Sequence, residues 1–262
     1  MIRLVTFDLY QTLCYAVPDR CERLAAACQE LGFVCQPDDF VRPDVEAEEL
    51  YTVENGRLPL HLRSPHEQAA FYRRAMQLRL RGAGLPHDDE TAERLRAGME
   101  LRRAVEWRLF DDVHTTFAAL RERRLRIGVI SNTPVDATIL CTELGVCERV
   151  DFVVSSCLVG CEKPCRRIFQ AALDAAGVTA ASAVHVGDQP RSDALGAVGA
   201  GLHTLLLDRP GLLGHETEYR RIGSLEEVVT WIDAGRPPVA AGSAMAPRQR
   251  TTDPADAGEG LA

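Results

Sequence analysis

Short continuous apolar runs alternate with amphipathic stretches along most of this chain. The runs IRLVTF (2–7), RIGVIS (126–131), FVVS (152–155), AVHVG (183–187) and HTLLL (203–207) are rich in Val, Ile and Leu. Uninterrupted runs of this length predict strands covered on both faces, as in parallel sheets. Between the later runs, DVHTTFAALRERR (112–124), VDATILCTELG (135–145), CRRIFQAALDAAG (165–177) and RSDALGAVGAG (191–201) have helical periodicity. Strand and helix in alternation predict right-handed βαβ units and an α/β fold with a doubly wound parallel sheet.

More than a hundred residues separate the first run from the second, far beyond what one crossover helix requires. The stretches 19–32, 38–53, 65–82 and 88–103 carry helical periodicity without strand-like runs, so an inserted all-helical cap is expected over 15–105. The α/β core then comprises 1–14 and 106–235. Residues 236–262 are rich in Pro, Gly and Ala and short of large apolar side chains, which predicts a disordered tail.

With 262 residues the chain is long enough to bury a substantial core. A formal charge of −8 argues against general affinity for nucleic acid or anionic membranes, which call for a basic face. No run of about 18 apolar residues and no signal-like segment occurs, so a cytoplasmic protein is expected. The nine cysteines fit reduced thiols better than a disulfide framework. Cys14, Cys21, Cys28 and Cys35 recur every seven residues, and Cys157, Cys161 and Cys165 every four. Neither spacing resembles a zinc pair, and core packing is the expected role. Neither an exposed apolar patch nor a coiled-coil repeat can be read from the chain, so the oligomeric state stays unknown.

In an open parallel sheet, ligands bind outside the carboxyl ends of the strands, at the switch in strand order. Collected there are Asp8 and Thr12 after the first strand, Ser131 and Asn132 after the second, Lys163 in the loop GCEKP, and Asp188 with Asp193 after AVHVG. Singly, each of these is as well explained by helix capping, turn closure or a solvated surface. Jointly they predict a site. Asp8 is the candidate nucleophile, because a carboxylate can form a covalent acyl-phosphate. Asp188 and Asp193 would hold Mg²⁺ together with Asp8 and the backbone carbonyl of Tyr10, since this hard cation takes oxygen ligands. Lys163 would neutralise the carboxylates, and Ser131 and the amides near Asn132 would donate to phosphoryl oxygens. His185, inside an apolar run, is expected to be a core imidazole.

These residues, in this order, resemble the four motifs of the haloacid dehalogenase superfamily of hydrolases. FDLYQTL matches the first through Asp8 and Thr12, and VISNT matches the second through Ser131 and Asn132. GCEKPCRRIF matches the third through Lys163, and VHVGDQPRSDALGAVGAG matches the fourth through Asp188 and Asp193. The resemblance implies a Rossmann-like core, and the helical insert is similar to the subgroup whose cap selects the substrate. It also implies Mg²⁺-dependent transfer of phosphate from a small phosphorylated substrate to Asp8, then hydrolysis.

One position departs from that pattern. Where the phosphatases carry a second aspartate as general acid and base stands Tyr10, a phenol titrating near pH ~10. The family's dehalogenases also carry Tyr there, and a departing halide needs no proton. Their glycine, however, is replaced by Gln11, and the fourth motif here is of the metal-binding kind. Three alternatives stay open: a phosphatase, a 2-haloacid dehalogenase-like hydrolase, and a weakly active or non-catalytic binding protein.

Overall fold

The computed structural model describes residues 1–213 and 218–235, so the tail expected over 236–262 lies outside the described residues. In chain order the strands are β1 (Leu4–Phe7), β2 (Cys14–Val17), β3 (Glu106–Leu109), β4 (Arg126–Ser131), β5 (Phe152–Ser155), β6 (Ala183–Gly187), β7 (His203–Leu207) and β8 (Arg221–Ile222). All five apolar runs are therefore strands. With β8 they form one parallel sheet in the order β5-β4-β1-β6-β7-β8.

Helices α5 (Asp112–Glu122), α6 (Ala137–Glu143), α8 (Arg166–Ala176), α9 (Gly196–Gly199) and α10 (Glu226–Asp233) flank the sheet, and a short α7 (Ser156–Val159) follows β5. Alternation along β1 divides the core. Val5 and Phe7 pack with Phe117, Leu120, Val129 and Trp231 on one face, and Leu4 with Ile168, Phe169 and Leu173 on the other. Each such fully buried side chain contributes roughly 1.5–3 kcal/mol.

Between β2 and β3 the chain is helical: α1 (Arg20–Glu30), α2 (Asp38–Arg57), α3 (Pro65–Gly82) and α4 (Asp89–Leu101), with a 3-10 turn at Leu60–Leu62. Asp19 and Ser64 start α1 and α3 through reciprocal capping with Glu22 and Glu67. These helices close over their own apolar cluster, which includes Leu24, Cys28, Cys35, Phe40, Met76, Leu80 and Leu95. Cys21 packs against this cluster, and Cys14 is buried in the core of the sheet, so all four seven-spaced cysteines are packing residues. Arg20 and Arg79 pair with Asp44 and Glu48, holding α1, α2 and α3 together.

The structure adds one element at the predicted boundary of the insert. β2 and β3 pair antiparallel, so residues 15–17, expected in the helical segment, continue a ribbon. Four-residue strands with alternating burial give too short a period to stand out in sequence.

Candidate active site

β1 lies between β4 and β6, and the chain moves outward on one side through β4 and β5 before returning to β6 on the other. The strand order therefore switches at β1, where a crevice opens at the carboxyl ends. Asp8 stands there, buried, its N–H bonded to Val186 O at 2.8 Å. A tight turn follows, closed by Leu13 N–H to Leu9 O at 2.9 Å. It turns Thr12 back so that its hydroxyl donates to Asp188 Oδ1 at 3.4 Å. Gln11, in that turn, has φ of 60°, the left-handed region where glycine is favoured.

Ser131 ends β4, fully buried, and its hydroxyl has no hydrogen-bond partner among the described residues. Asn132 follows directly after β4. Its side chain is engaged with Lys163, accepting from that residue's N–H at 2.7 Å and donating to its carbonyl at 3.0 Å. It thereby fixes the loop that delivers the Lys163 ammonium between Asp8 and Asp193. Lys163 Nζ lies 2.6 Å from Asp193 Oδ1 and also donates to Asp8 Oδ1.

Asp188 follows β6 directly, and Asp193 lies in a π-helical turn (Pro190–Leu195). The carboxylate of Asp193 accepts from Gln189 N–H at 2.9 Å and packs against Gly187, where an added Cβ would come within 2.3 Å of its carboxyl carbon. Behind it sits His185, fully buried, with Nε2 3.2 Å from Asp193 Oδ1 and Nδ1 2.9 Å from the Thr6 hydroxyl. An anionic Asp193 places the proton on Nε2. His185 is thus a core imidazole that also orients Asp193. The sequence carried a signal for this: Thr6 and His185 are polar interruptions of two apolar runs, and they are register partners in the sheet.

The charges are unbalanced, with three carboxylates facing one ammonium. Burial, with Asp193 adding, raises Asp8 to about 6 against the opposing pull of Lys163. Asp188 is raised well above the usual carboxylate range by burial and by Asp8 and Asp193. Burial opposes charge on Asp193 too, yet Lys163 and His185 hold it below its ordinary value. Burial likewise disfavours the Lys163 ammonium, but Asp193 and Asp8 raise it above its ordinary range. A divalent cation would balance this excess of negative charge. Asp8, Asp188 and Asp193 offer oxygen atoms within 4.8 Å of one another, a donor set that suits a hard divalent ion.

Tyr10 is half-buried, its ring 5.0 Å from that of Trp107 on β3 and its hydroxyl near Thr133. Two further features carried no sequence signal. Arg209 lies 3.8 Å above the Phe110 ring, forms two 2.9 Å bonds to Asp112 and donates to Thr12 O at 3.0 Å, tethering the first loop. On α2, Asn55 donates to Glu162 at 2.7 Å, Tyr51 to the same oxygen at 3.3 Å, and Thr52 to Gln189 at 3.4 Å. The helical insert is therefore docked on the two loops that carry Lys163 and Asp188. Among the described residues, no helix is long and apolar enough to cross a membrane.

Comparison with known proteins places this arrangement. Residues 2–201 match the family described as haloacid dehalogenase-like hydrolase. The mouse haloacid dehalogenase-like hydrolase domain-containing protein 3 is 39% identical over 101 residues, 38% of this chain and 40% of that protein. Its human counterpart is 37% identical over 107 residues, 41% of this chain and 43% of that one. The chain thus spans about two-fifths of the length of these relatives. A ribulose-1,5-bisphosphate 5-phosphatase of Halopiger xanaduensis is 30% identical over 212 residues, 79% of this chain and 85% of that protein. The crystal structure of a 2-haloacid dehalogenase from Pseudomonas syringae superposes with a TM-score of 0.53 at 26% identity, covering 90% of this chain and all of that one. With its parallel sheet, its strand-end residues and the family match over residues 2–201, the chain belongs to the haloacid dehalogenase-like hydrolases.

Proposed function

We propose that this hydrolase is a Mg²⁺-dependent phosphatase of a small phosphorylated metabolite, acting through an aspartyl-phosphate at Asp8. The observation that carries this is the trio of carboxylates, Asp8, Asp188 and Asp193, against the single buried ammonium of Lys163. A carboxylate substrate such as a haloacid would add a further negative charge to that excess; a cation removes it. The similarity to the ribulose-1,5-bisphosphate 5-phosphatase, over most of both chains, supports a phosphorylated small molecule as substrate. A cytoplasmic setting belongs to the same proposal.

The steps follow from the side chains. An Asp8 oxygen attacks phosphorus, the ester oxygen departs, and water later cleaves the acyl-phosphate to free Asp8. Lys163 neutralises Asp8 as the phosphoryl group approaches, and Asp193 and Asn132 fix where its ammonium lies. The Ser131 hydroxyl, with no protein partner among the described residues, donates to a phosphoryl oxygen. Thr12 holds Asp188. Bound by Asp8, Asp188, Asp193 and the Tyr10 carbonyl, Mg²⁺ would supply positive charge for the phosphoryl oxygens. No second aspartate protonates the leaving group, so good leaving groups such as aryl and acyl phosphates are preferred.

One observation favours a second function, 2-haloacid dehalogenation: Tyr10 stands where an acid is dispensable for halide departure. Purified protein assayed with phosphate esters and with 2-haloacids, with and without Mg²⁺, separates the two. Phosphate release that EDTA abolishes supports the phosphatase. Metal-independent halide release overturns it.

A further inference from the structure

The loop that carries Lys163 is bracketed by two cysteines, and the phosphatase mechanism uses neither. In Cys161-Glu162-Lys163-Pro164-Cys165 the chain doubles back, with Cys165 N–H bonded to Glu162 O at 2.9 Å. This turn brings the ends together at the start of α8, where Cys165 is the N-cap residue, with no side-chain cap hydrogen bond. The Cys161 thiol faces that of Cys165 across the turn and lies near the N–H of Ile168 in the first turn of the same helix. Both residues are partly exposed.

Two other cysteine pairs are also in contact, but less accessibly. Cys28 and Cys35 are both buried in the core of the helical insert, and Cys141, facing Cys147, is buried under the sheet. Only in the pair around Lys163, among these three, are both residues at least partly exposed.

We propose that Cys161 and Cys165 are a reversible redox site: hydroperoxide closes them into a disulfide that displaces Lys163 and shuts the enzyme down. The chemistry balances with the peroxide as oxidant. The Cys165 sulfur attacks the peroxide, an S–O bond forms as the O–O bond breaks, and the alcohol or water leaves. The Cys161 sulfur then attacks the resulting sulfenic acid, forming the S–S bond and releasing water. Burial and the neighbouring Cys165 push the Cys161 thiol up to about 11, so it keeps its proton until this second step.

Closure costs Lys163 its position. The facing thiols must approach to a covalent S–S length of about 2.05 Å, and the three residues between them turn with the ends. Lys163 is held from both sides of that turn, by Asn132 at its backbone and by Asp8 and Asp193 at its ammonium. Glu162, beside it, carries the bonds from Tyr51 and Asn55. A displacement of about 1 Å at a positioning group costs up to about 10²-fold in rate.

The disulfide has a readout that does not depend on the proposed phosphatase activity. The reduced protein is treated with hydrogen peroxide, free thiols are blocked, and the chain is cleaved after Glu162, which lies between the two cysteines. Fragments bearing Cys161 and Cys165 that stay joined until a thiol reductant is added support the proposal. Turnover falls at least about tenfold in parallel and recovers on reduction, whereas Cys161→Ser and Cys165→Ser keep their activity under peroxide. Unlinked fragments overturn it, as do linked fragments with unchanged turnover. If the reduced protein hydrolyses no phosphate ester, the assignment of the active site fails, and the joined fragments still decide the disulfide.

Discussion

Tyr10 and Trp107 lie ring against ring at the root of the two-stranded ribbon, centroids 5.0 Å apart and planes inclined by 54°. With its ring packed there and its pKa raised by burial, the phenol is held as a neutral side chain. A phenol held protonated in this way is poorly matched to exchanging a proton with a leaving group or water at neutral pH. Tyr10→Asp therefore accelerates hydrolysis of alkyl phosphates, whose leaving groups need a proton, by about 10²–10⁴-fold, with little effect on aryl phosphates. Turnover against leaving-group pKa in the two proteins checks this; equal slopes would show that Tyr10 is not a missing acid.

Removing the buried ammonium exposes the charge imbalance. Lys163→Met leaves three carboxylates facing one another and destabilises the metal-free protein by roughly 3–5 kcal/mol, while phosphatase activity is lost. Because a divalent ion replaces the missing charge, Mg²⁺ raises the melting temperature of the variant more than that of the wild type. Thermal unfolding with and without Mg²⁺ measures both terms.

His185 touches the site only through Asp193, with Thr6 holding its other nitrogen. His185→Leu removes one of the bonds that orient Asp193, leaving those from Lys163 and Gln189, and weakens Mg²⁺ binding by about 10–100-fold. A calorimetric Mg²⁺ titration tests this, since a packing role alone would lower stability without changing the affinity.

Arg209 and Asp112 tie the Thr12 loop to α5, and Asp112 also accepts from Leu225 N–H at 2.9 Å. Burial opposes the Asp112 charge, but the bonds from Arg209 and Leu225 hold its carboxyl below the ordinary 3.8. A group depressed by folding stabilises fully above its unfolded value and loses that contribution as pH falls through the folded one. Asp112→Asn therefore costs about 1.5–3 kcal/mol at neutral pH, and the gap between variant and wild type narrows below about pH 3.8. Denaturant unfolding of both proteins across pH gives the curve.

The five apolar runs were legible because strands buried on both faces leave no polar alternation to misread, and β4, β5, β6 and β7 span the expected residues. Asp8, Ser131, Lys163, Asp188 and Asp193 were legible because a parallel sheet puts successive strand ends at one edge. What sequence could not carry was contact between side chains far apart in the chain. The pairing of Asn132 with the Lys163 backbone, the tether from Arg209 and the docking of Tyr51 and Asn55 on Glu162 depend on tertiary placement. The ribbon of β2 and β3 escaped for a local reason, since four half-exposed residues carry little period.

The central claim is that phosphate passes through Asp8, and the missing acid makes its release slow. The direct measurement is a rapid acid quench of protein mixed with an aryl phosphate and Mg²⁺, followed by mass analysis of the peptide containing residue 8. Phosphate on Asp8, formed with a burst of the phenol and absent in Asp8→Asn or with EDTA, is the predicted result. Steady hydrolysis with no phosphate on Asp8 would contradict the account, as would halide release from a 2-haloacid without Mg²⁺.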